Sequence, residues 1–127
     1  MSKICTDLEQ SRKLVKMKLD KNTADMHYFS DGYNPTKLEV GYSAENAKFY
    51  RGTENEYTPA WSLSALLEIM PSKLGDNTNK IIKSELQKKY FCVYGLKLKN
   101  IHEEYGNSPI DAVFKMVVWL LENKHIK

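Results

Sequence analysis

The segment over residues 108–123 constrains the fold of this chain more than any other. Ser108 is a favourable helix N-cap and Pro109 suits the first helical position, so the sequence predicts a helix over residues 109–123. Its charged residues are Asp111, Lys115 and Glu122, and most of the other positions are apolar. Because a helix that is apolar on most sides has to be covered, we expect the rest of the chain to pack around it.

Two further helices are predicted nearer the N-terminus. Thr6 and Glu9 have the spacing of a capping box, which predicts a helix that starts at Thr6 and ends near Leu19. Thr58 followed by Pro59 repeats the cap-and-proline pattern, and leucines at helical spacing follow it. These signals predict a helix over residues 59–70, which Pro71 ends.

Residues 26–30 and 37–43 are rich in β-forming side chains and flank a cluster of turn residues, which predicts a hairpin. Residues 48–51 are predicted to add a short third strand. Residues 90–94 and 96–101 are predicted as two more strands, because aromatic and β-branched residues or a strict alternation dominate there.

The predicted fold is a single α+β domain over residues 1–127, which a length of 127 residues readily accommodates. It comprises three helices and a small antiparallel sheet, with a single layer of sheet packed on the helices. Residues 80–88 fit both the helical and the strand period, so the sequence leaves their structure open between the two.

The net charge of +3 is unevenly distributed along the chain. Residues 1–21 and 79–105 each carry net +3, whereas residues 22–78 carry net −4. The basic ends supply the candidates for nucleic-acid binding, which are Arg12, Lys13, Lys16, Lys88 and Lys89. Because most of them are lysines, which lack the planar fork of arginine, solvated surface faces are the favoured interpretation.

The residue types that usually carry catalysis do not form known motifs in this sequence. His102 and Glu103 begin like a zinc-binding helix, but the second histidine that such a helix needs at i+4 is missing. Cys92 lies between apolar neighbours, which is typical of a buried thiol. We therefore expect no metal, no cofactor and no enzymatic activity. A small hydrolase or transferase built from His102, Glu103 and Cys92 is the competing hypothesis.

Aromatic residues are concentrated in the acidic middle of the chain, where eight of the fourteen lie between Tyr28 and Trp61. Tyrosine and tryptophan supply rigid area with a polar group, which suits protein interfaces. The alternative is that they cover the sheet of a small domain. The residues predicted to contact a protein partner are Trp61, Tyr57, Tyr50 and Tyr33.

Three parts of the sequence also carry a family resemblance. They are ICTDLEQS with NTADM at residues 4–11 and 22–26, PAWSLSALL at residues 59–67, and SPIDA through WLLEN at residues 108–123. In this order they resemble a group of small uncharacterised proteins of gut Bacteroides-type bacteria, often encoded in prophage or mobile-element regions. The resemblance implies an intracellular bacterial protein of phage or mobile-element origin, and it implies no activity or catalytic residue.

Together these features predict a cytoplasmic accessory protein. The N-terminus has no apolar signal core, and the longest apolar run, residues 116–121, is far shorter than the ~20 residues of a membrane span. We therefore expect a non-enzymatic protein that binds another protein or itself and has no membrane partner. The alternative is a nucleic-acid-binding accessory protein that uses its lysine-rich faces.

Overall fold

The computed structural model describes residues 4–29, 37–40, 57–96 and 99–126. The three α-helices within these ranges are α1 (Leu8–Lys16), α2 (Leu63–Ile69) and α3 (Pro109–Glu122). The strands are β1 (Met26–Phe29), β2 (Lys37–Val40), β3 (Tyr57–Ala60), β4 (Lys73–Leu74), β5 (Asn77–Ser84), β6 (Lys89–Leu96) and β7 (Lys99–Gly106). The predicted α+β class with three helices and antiparallel strands is confirmed for the described residues, whose strands divide into two sheets.

Helix α3 is the centre of the core, as its apolar sequence predicted. The Ser108 hydroxyl accepts a hydrogen bond from the Asp111 amide at 3.1 Å, so the predicted N-cap is confirmed. The helix packs against β6 and β7 and also touches α2. One core cluster joins it to buried side chains of the other elements, among them Leu14, Leu66 and Tyr94. No helix in the described ranges is long and apolar enough to cross a membrane.

The larger sheet has four antiparallel strands in the order β4-β5-β6-β7. It settles the open interpretation of residues 80–88, because β5 continues to Ser84 and a turn over residues 85–88 leads into β6. The strand predicted at residues 90–94 is confirmed within β6. The strand predicted at residues 96–101 is wrong as one element, because β6 ends at Leu96 and β7 begins at Lys99.

The smaller sheet has the order β2-β1-β3 among the described strands. The predicted hairpin is confirmed, because β1 pairs antiparallel with β2. The helix predicted to begin at Pro59 starts later, because Thr58 and Pro59 lie in β3 opposite Tyr28 and His27. Pro59 is compatible with a strand at the edge of a sheet, where a missing N–H costs little. The third strand predicted at residues 48–51 lies outside the described residues.

Both N-terminal helices begin later than predicted because other residues cap them. For α2 the cap is Ser62, whose hydroxyl accepts from the Ala65 amide at 3.2 Å. For α1 the cap is Asp7, which accepts from the Gln10 amide at 2.7 Å. The Gln10 side chain accepts from the Asp7 amide in return, so a capping box is present one residue beyond the predicted one.

Hydrogen bonds of Thr6 connect the N-terminal end of α1 to the end of the smaller sheet. The Thr6 hydroxyl accepts from the Trp61 amide at 3.1 Å and shares a 2.7 Å hydrogen bond with the Ser11 hydroxyl. Thr6 is thus a buried connecting residue rather than the predicted helix cap. The helix ends at Lys16 rather than near Leu19, and Lys18 just beyond it has a positive φ of 68°.

Candidate protein-binding surface

One end of the four-stranded sheet presents apolar side chains to solvent. Cys92 and Tyr94 of β6 belong to the core cluster together with residues of α3. Side chains alternate along a strand, so Phe91 lies on the opposite face. Phe91 is directly opposite Ile82 of β5 on one side and Tyr105 of β7 on the other. We call these three residues, Ile82, Phe91 and Tyr105, the sheet-face patch.

The sheet-face patch is exposed to an unusual degree for its composition. Ile82 is 45% exposed and Tyr105 48% exposed, while Phe91 between them is half-buried. The next residue along this face of β6, Val93, is only 1% exposed. The three apolar residues of the patch therefore lie at the end of the sheet beside the β5–β6 turn, where Leu86 is 94% exposed.

The two aromatic rings of the sheet-face patch, those of Phe91 and Tyr105, contact each other. The Phe91 and Tyr105 ring centroids are 5.9 Å apart and the planes are tilted by 41°. This separation lies within the range in which tilted aromatic pairs attract. Because all three side chains stand on paired strands, the patch is preorganised, and little side-chain freedom is lost when it is covered.

Positive charge surrounds the Tyr105 ring. The Lys89 ammonium lies 4.5 Å from the ring centroid and the Lys115 ammonium 5.1 Å from it. Both distances are within the ~6 Å range of a cation–π contact. Lys89 comes from β6 and Lys115 from α3, so two separate elements bring their cations to one ring.

Of the residues that the sequence predicted for protein binding, Trp61 is not part of the sheet-face patch. Trp61 is fully buried, and its indole N–H donates to the Thr23 hydroxyl at 2.9 Å. Because Trp61 is a core residue, its ring is not exposed for the predicted contact with a protein partner. Tyr57 begins β3, and Tyr33 and Tyr50 lie outside the described residues.

The cations predicted for nucleic-acid binding fall into two groups. Arg12, Lys13 and Lys16 line an open groove of about 800 Å³ between α1 and α3. Glu9 and Glu122 line the same groove and offset part of its positive charge. The other two candidates, Lys88 and Lys89, stand at the end of the β5–β6 turn, beside the sheet-face patch.

The three residues of the hydrolase hypothesis lie on two different faces of the larger sheet. His102 Nε2 is 2.6 Å from a carboxylate oxygen of Glu104, and its ring stacks on Trp119 with centroids 3.9 Å apart. Glu103 is on the opposite face of β7, since side chains alternate. Burial raises the pKa of the Cys92 thiol to about 12, with the nearby Glu104 carboxylate acting in the same direction. Such a thiol is a poor nucleophile near neutral pH.

The described residues contain no group of three or more His, Cys, Asp or Glu side chains placed to hold a metal ion. The His102–Glu104 pair is therefore a two-residue contact on the α3-facing side of the sheet, next to Trp119. The sequence predicted Glu103 instead of Glu104 as the partner of His102. The correct partner depends on which face of β7 each side chain occupies, and the sequence motif does not give this.

No protein-family model matches this chain, and no curated protein or solved structure matches it. Among the described residues, the sheet-face patch carries a stronger argument for a function than the groove between α1 and α3 does. Its members were missed at the sequence level, since Ile82 fell in the ambiguous segment at residues 80–88. The alternation from Ile101 to Tyr105 was the one available signal that Tyr105 could share a face with other apolar residues.

Proposed function

We propose that this chain is a non-enzymatic interaction protein that binds another protein through the sheet-face patch. The observation that carries the proposal is the cross-strand row of Ile82, Phe91 and Tyr105, which is exposed at one end of a sheet whose other face packs against α3 at β6 and β7. Contiguous exposed apolar surface on a rigid element is typical of interaction sites.

The size of the patch fits the centre of an interface rather than a whole one. A stable protein interface buries roughly 800 Å² on each partner, which is more than three side chains present. Binding energy is usually concentrated in a few central aromatic and apolar residues surrounded by a polar rim. The patch with its neighbouring lysines has this composition, and the exposed Leu86 extends the apolar area toward the turn.

The proposal is tested by selecting binding peptides from a phage-displayed library of random dodecapeptides, with the purified protein as bait. We expect enriched peptides whose affinity falls about tenfold or more in Ile82→Thr, because a central interface side chain contributes on the order of 1–2 kcal/mol. Threonine keeps the β-branch that suits a strand and removes much of the apolar surface.

Ile101→Thr is the matched control for this experiment. It makes the same substitution in β7, at a residue that is 49% exposed and lies near the opposite end of the strand from Tyr105. The control should retain peptide binding. If no peptide is enriched, or if Ile82→Thr binds every enriched peptide as the unchanged protein does, the proposed function is wrong.

The family resemblance supports a cellular setting for this role, namely an accessory protein of phage or mobile-element origin that acts in the bacterial cytoplasm. Two of the segments that carry the resemblance supply Trp61, Leu66 and most of α3. Those residues are core residues, and none of them belongs to the sheet-face patch.

Nucleic-acid binding is the second candidate function. It is supported by the groove between α1 and α3, where Arg12, Lys13 and Lys16 bring three cations to one place. Phosphate contacts of this kind supply most of the non-specific affinity for nucleic acids. The two carboxylates in the same groove weaken this candidate relative to the first.

A further inference from the structure

We infer that the partner presents an acidic segment, in which a carboxylate lies near the ammonium groups of Lys89 and Lys115 beside Tyr105 and an adjacent apolar side chain covers Ile82 and Phe91. This inference rests on the proposed function, because it names the chemistry of the partner that the sheet-face patch binds. It follows from the charge around Tyr105, from the mixed composition of the patch and from the symmetry that a homodimer through this patch would have.

The charge around Tyr105 is the first step. Lys89 and Lys115 bring two ammonium groups to the same ring, 4.5 and 5.1 Å from its centroid. Neither lysine forms an ion pair with a carboxylate of the described residues. Two ammonium groups beside one ring make the local potential positive, so an anion that approaches Tyr105 would be attracted to both. A carboxylate also forms charge-assisted hydrogen bonds with ammonium donors.

The composition of the patch favours a peptide over a nucleic acid. The Phe91 and Tyr105 rings are tilted by 41° to each other, so they do not form one flat platform for stacked bases. Ile82 and the nearby Leu86 are aliphatic and offer no stacking surface. Glu103 on the same face of β7 would repel a continuous phosphate backbone, whereas a single carboxylate at Lys89 and Lys115 can be placed away from it.

The symmetry of a homodimer argues against a second copy of this chain at the same patch. In a two-fold dimer each copy presents the same surface to the other. If the two-fold axis passed beside Tyr105, Lys89 and Lys115 of one copy would face the same cations of its partner. Like charges that meet across an interface disfavour association, so a distinct acidic partner fits the patch better.

The test uses the dodecapeptides enriched in the selection described above, synthesised and measured by fluorescence anisotropy. We expect the enriched peptides to carry net negative charge beside an aromatic or aliphatic residue. The double variant Lys89→Gln/Lys115→Gln should bind them about tenfold more weakly, and the dependence of affinity on salt between about 0.05 and 0.3 M should flatten. Ile82→Thr should weaken binding but keep the salt dependence.

Lys73→Gln in β4 is the control, because it removes one exposed lysine of the same sheet away from Tyr105. Neutral or basic enriched peptides, or acidic ones that the double lysine variant binds unchanged, would overturn the acidic-partner inference and leave the proposed function standing. Two other outcomes would also overturn it: a dimer of the protein alone that Ile82→Thr abolishes, and an oligothymidylate that binds at Phe91 and Tyr105. Failure of all patch-dependent peptide binding would instead remove the proposed function.

Discussion

At Gly106 the end of β7 runs directly against the first turn of α3. A Cβ atom added there would lie 2.6 Å from the Asp111 Cβ and 2.9 Å from the Ala112 amide nitrogen. Both are atoms held by the helix, so they cannot move away as the end of a flexible side chain can. We expect Gly106→Ala to lower the free energy of unfolding by about 2 kcal/mol, as overpacking in a core does. Urea unfolding followed by the fluorescence of the buried Trp61 measures this loss.

Gly75 provides the control for Gly106 because its backbone conformation, and not a lack of space, favours glycine. Its φ is +64°, and nothing lies within 4 Å of the position that a Cβ would take. Gly75→Ala should therefore cost about 1 kcal/mol through backbone strain alone, and Gly75→Asn should recover part of it. Equal stability of Gly106→Ala and the unchanged protein would contradict the close approach of β7 to α3.

The buried thiol of Cys92 makes stability depend on pH in alkaline solution. Its pKa is raised to about 12 by burial, whereas an ordinary thiol titrates near 9.0. Between these values the unfolded chain loses the proton while the folded protein keeps it, so the free energy of unfolding falls as pH rises. The expected slope from this group is about 1.4 kcal/mol per pH unit, and below the ordinary pKa its contribution is fully present.

Cys92→Ala isolates this effect, because Tyr28 and Tyr94, whose pKa values are also raised, are present in both proteins. The difference in unfolding free energy between the two proteins should be constant below about pH 8.5 and should shrink above it. A difference that stays constant up to about pH 10.5 would show that the thiol is accessible to ionisation in the folded state.

At the level of elements, the sequence predicts those segments whose signals are local. Helix α3 combines a serine cap, a proline in the first turn and an apolar stripe, and the structure has it at Pro109–Glu122. The β1–β2 hairpin and β6 are likewise marked by their own residues. These elements need no information from distant parts of the chain, because capping and turn preferences act within a few residues.

The elements that the sequence predicted wrongly are those for which two local signals compete. A helix could start either at Thr58 and Pro59 or at Ser62. Because Thr58 and Pro59 pair with β1 as part of β3, the helix starts after Ser62. Either Thr6 or Asp7 could cap α1. Because the Thr6 hydroxyl forms hydrogen bonds with Trp61 and Ser11, Asp7 is the cap. In both cases a tertiary contact outweighs a preference worth about 1 kcal/mol.

For the whole molecule, the candidate site depends on strand register, which a single sequence does not determine. Ile82, Phe91 and Tyr105 become neighbours because β5, β6 and β7 pair with this register, and a shift of one residue would move each of them to the other face. Lys115 reaches Tyr105 only because α3 packs against β7. Composition had drawn attention to the aromatics of the acidic middle instead, where Trp61 belongs to the core.

The distribution of charge over the molecule leads to a last prediction, which concerns nucleic acid. If the groove between α1 and α3 bound duplex DNA through Arg12, Lys13 and Lys16, three phosphate contacts would give a slope of about −2.7 in log affinity against log salt. We expect instead no binding of a labelled duplex at about 0.05 M salt, where such contacts are strongest, because Glu9 and Glu122 share the groove.

Fluorescence anisotropy of the protein and of Arg12→Gln/Lys13→Gln/Lys16→Gln decides between the two candidate functions. The triple variant should bind the peptides selected on the sheet-face patch as tightly as the unchanged protein does, because none of its three positions contributes to that patch. Salt-sensitive binding of the duplex that the triple variant loses would establish the nucleic-acid alternative. It would also place the functional surface on the helices, so that the exposed row on the sheet would need a different explanation.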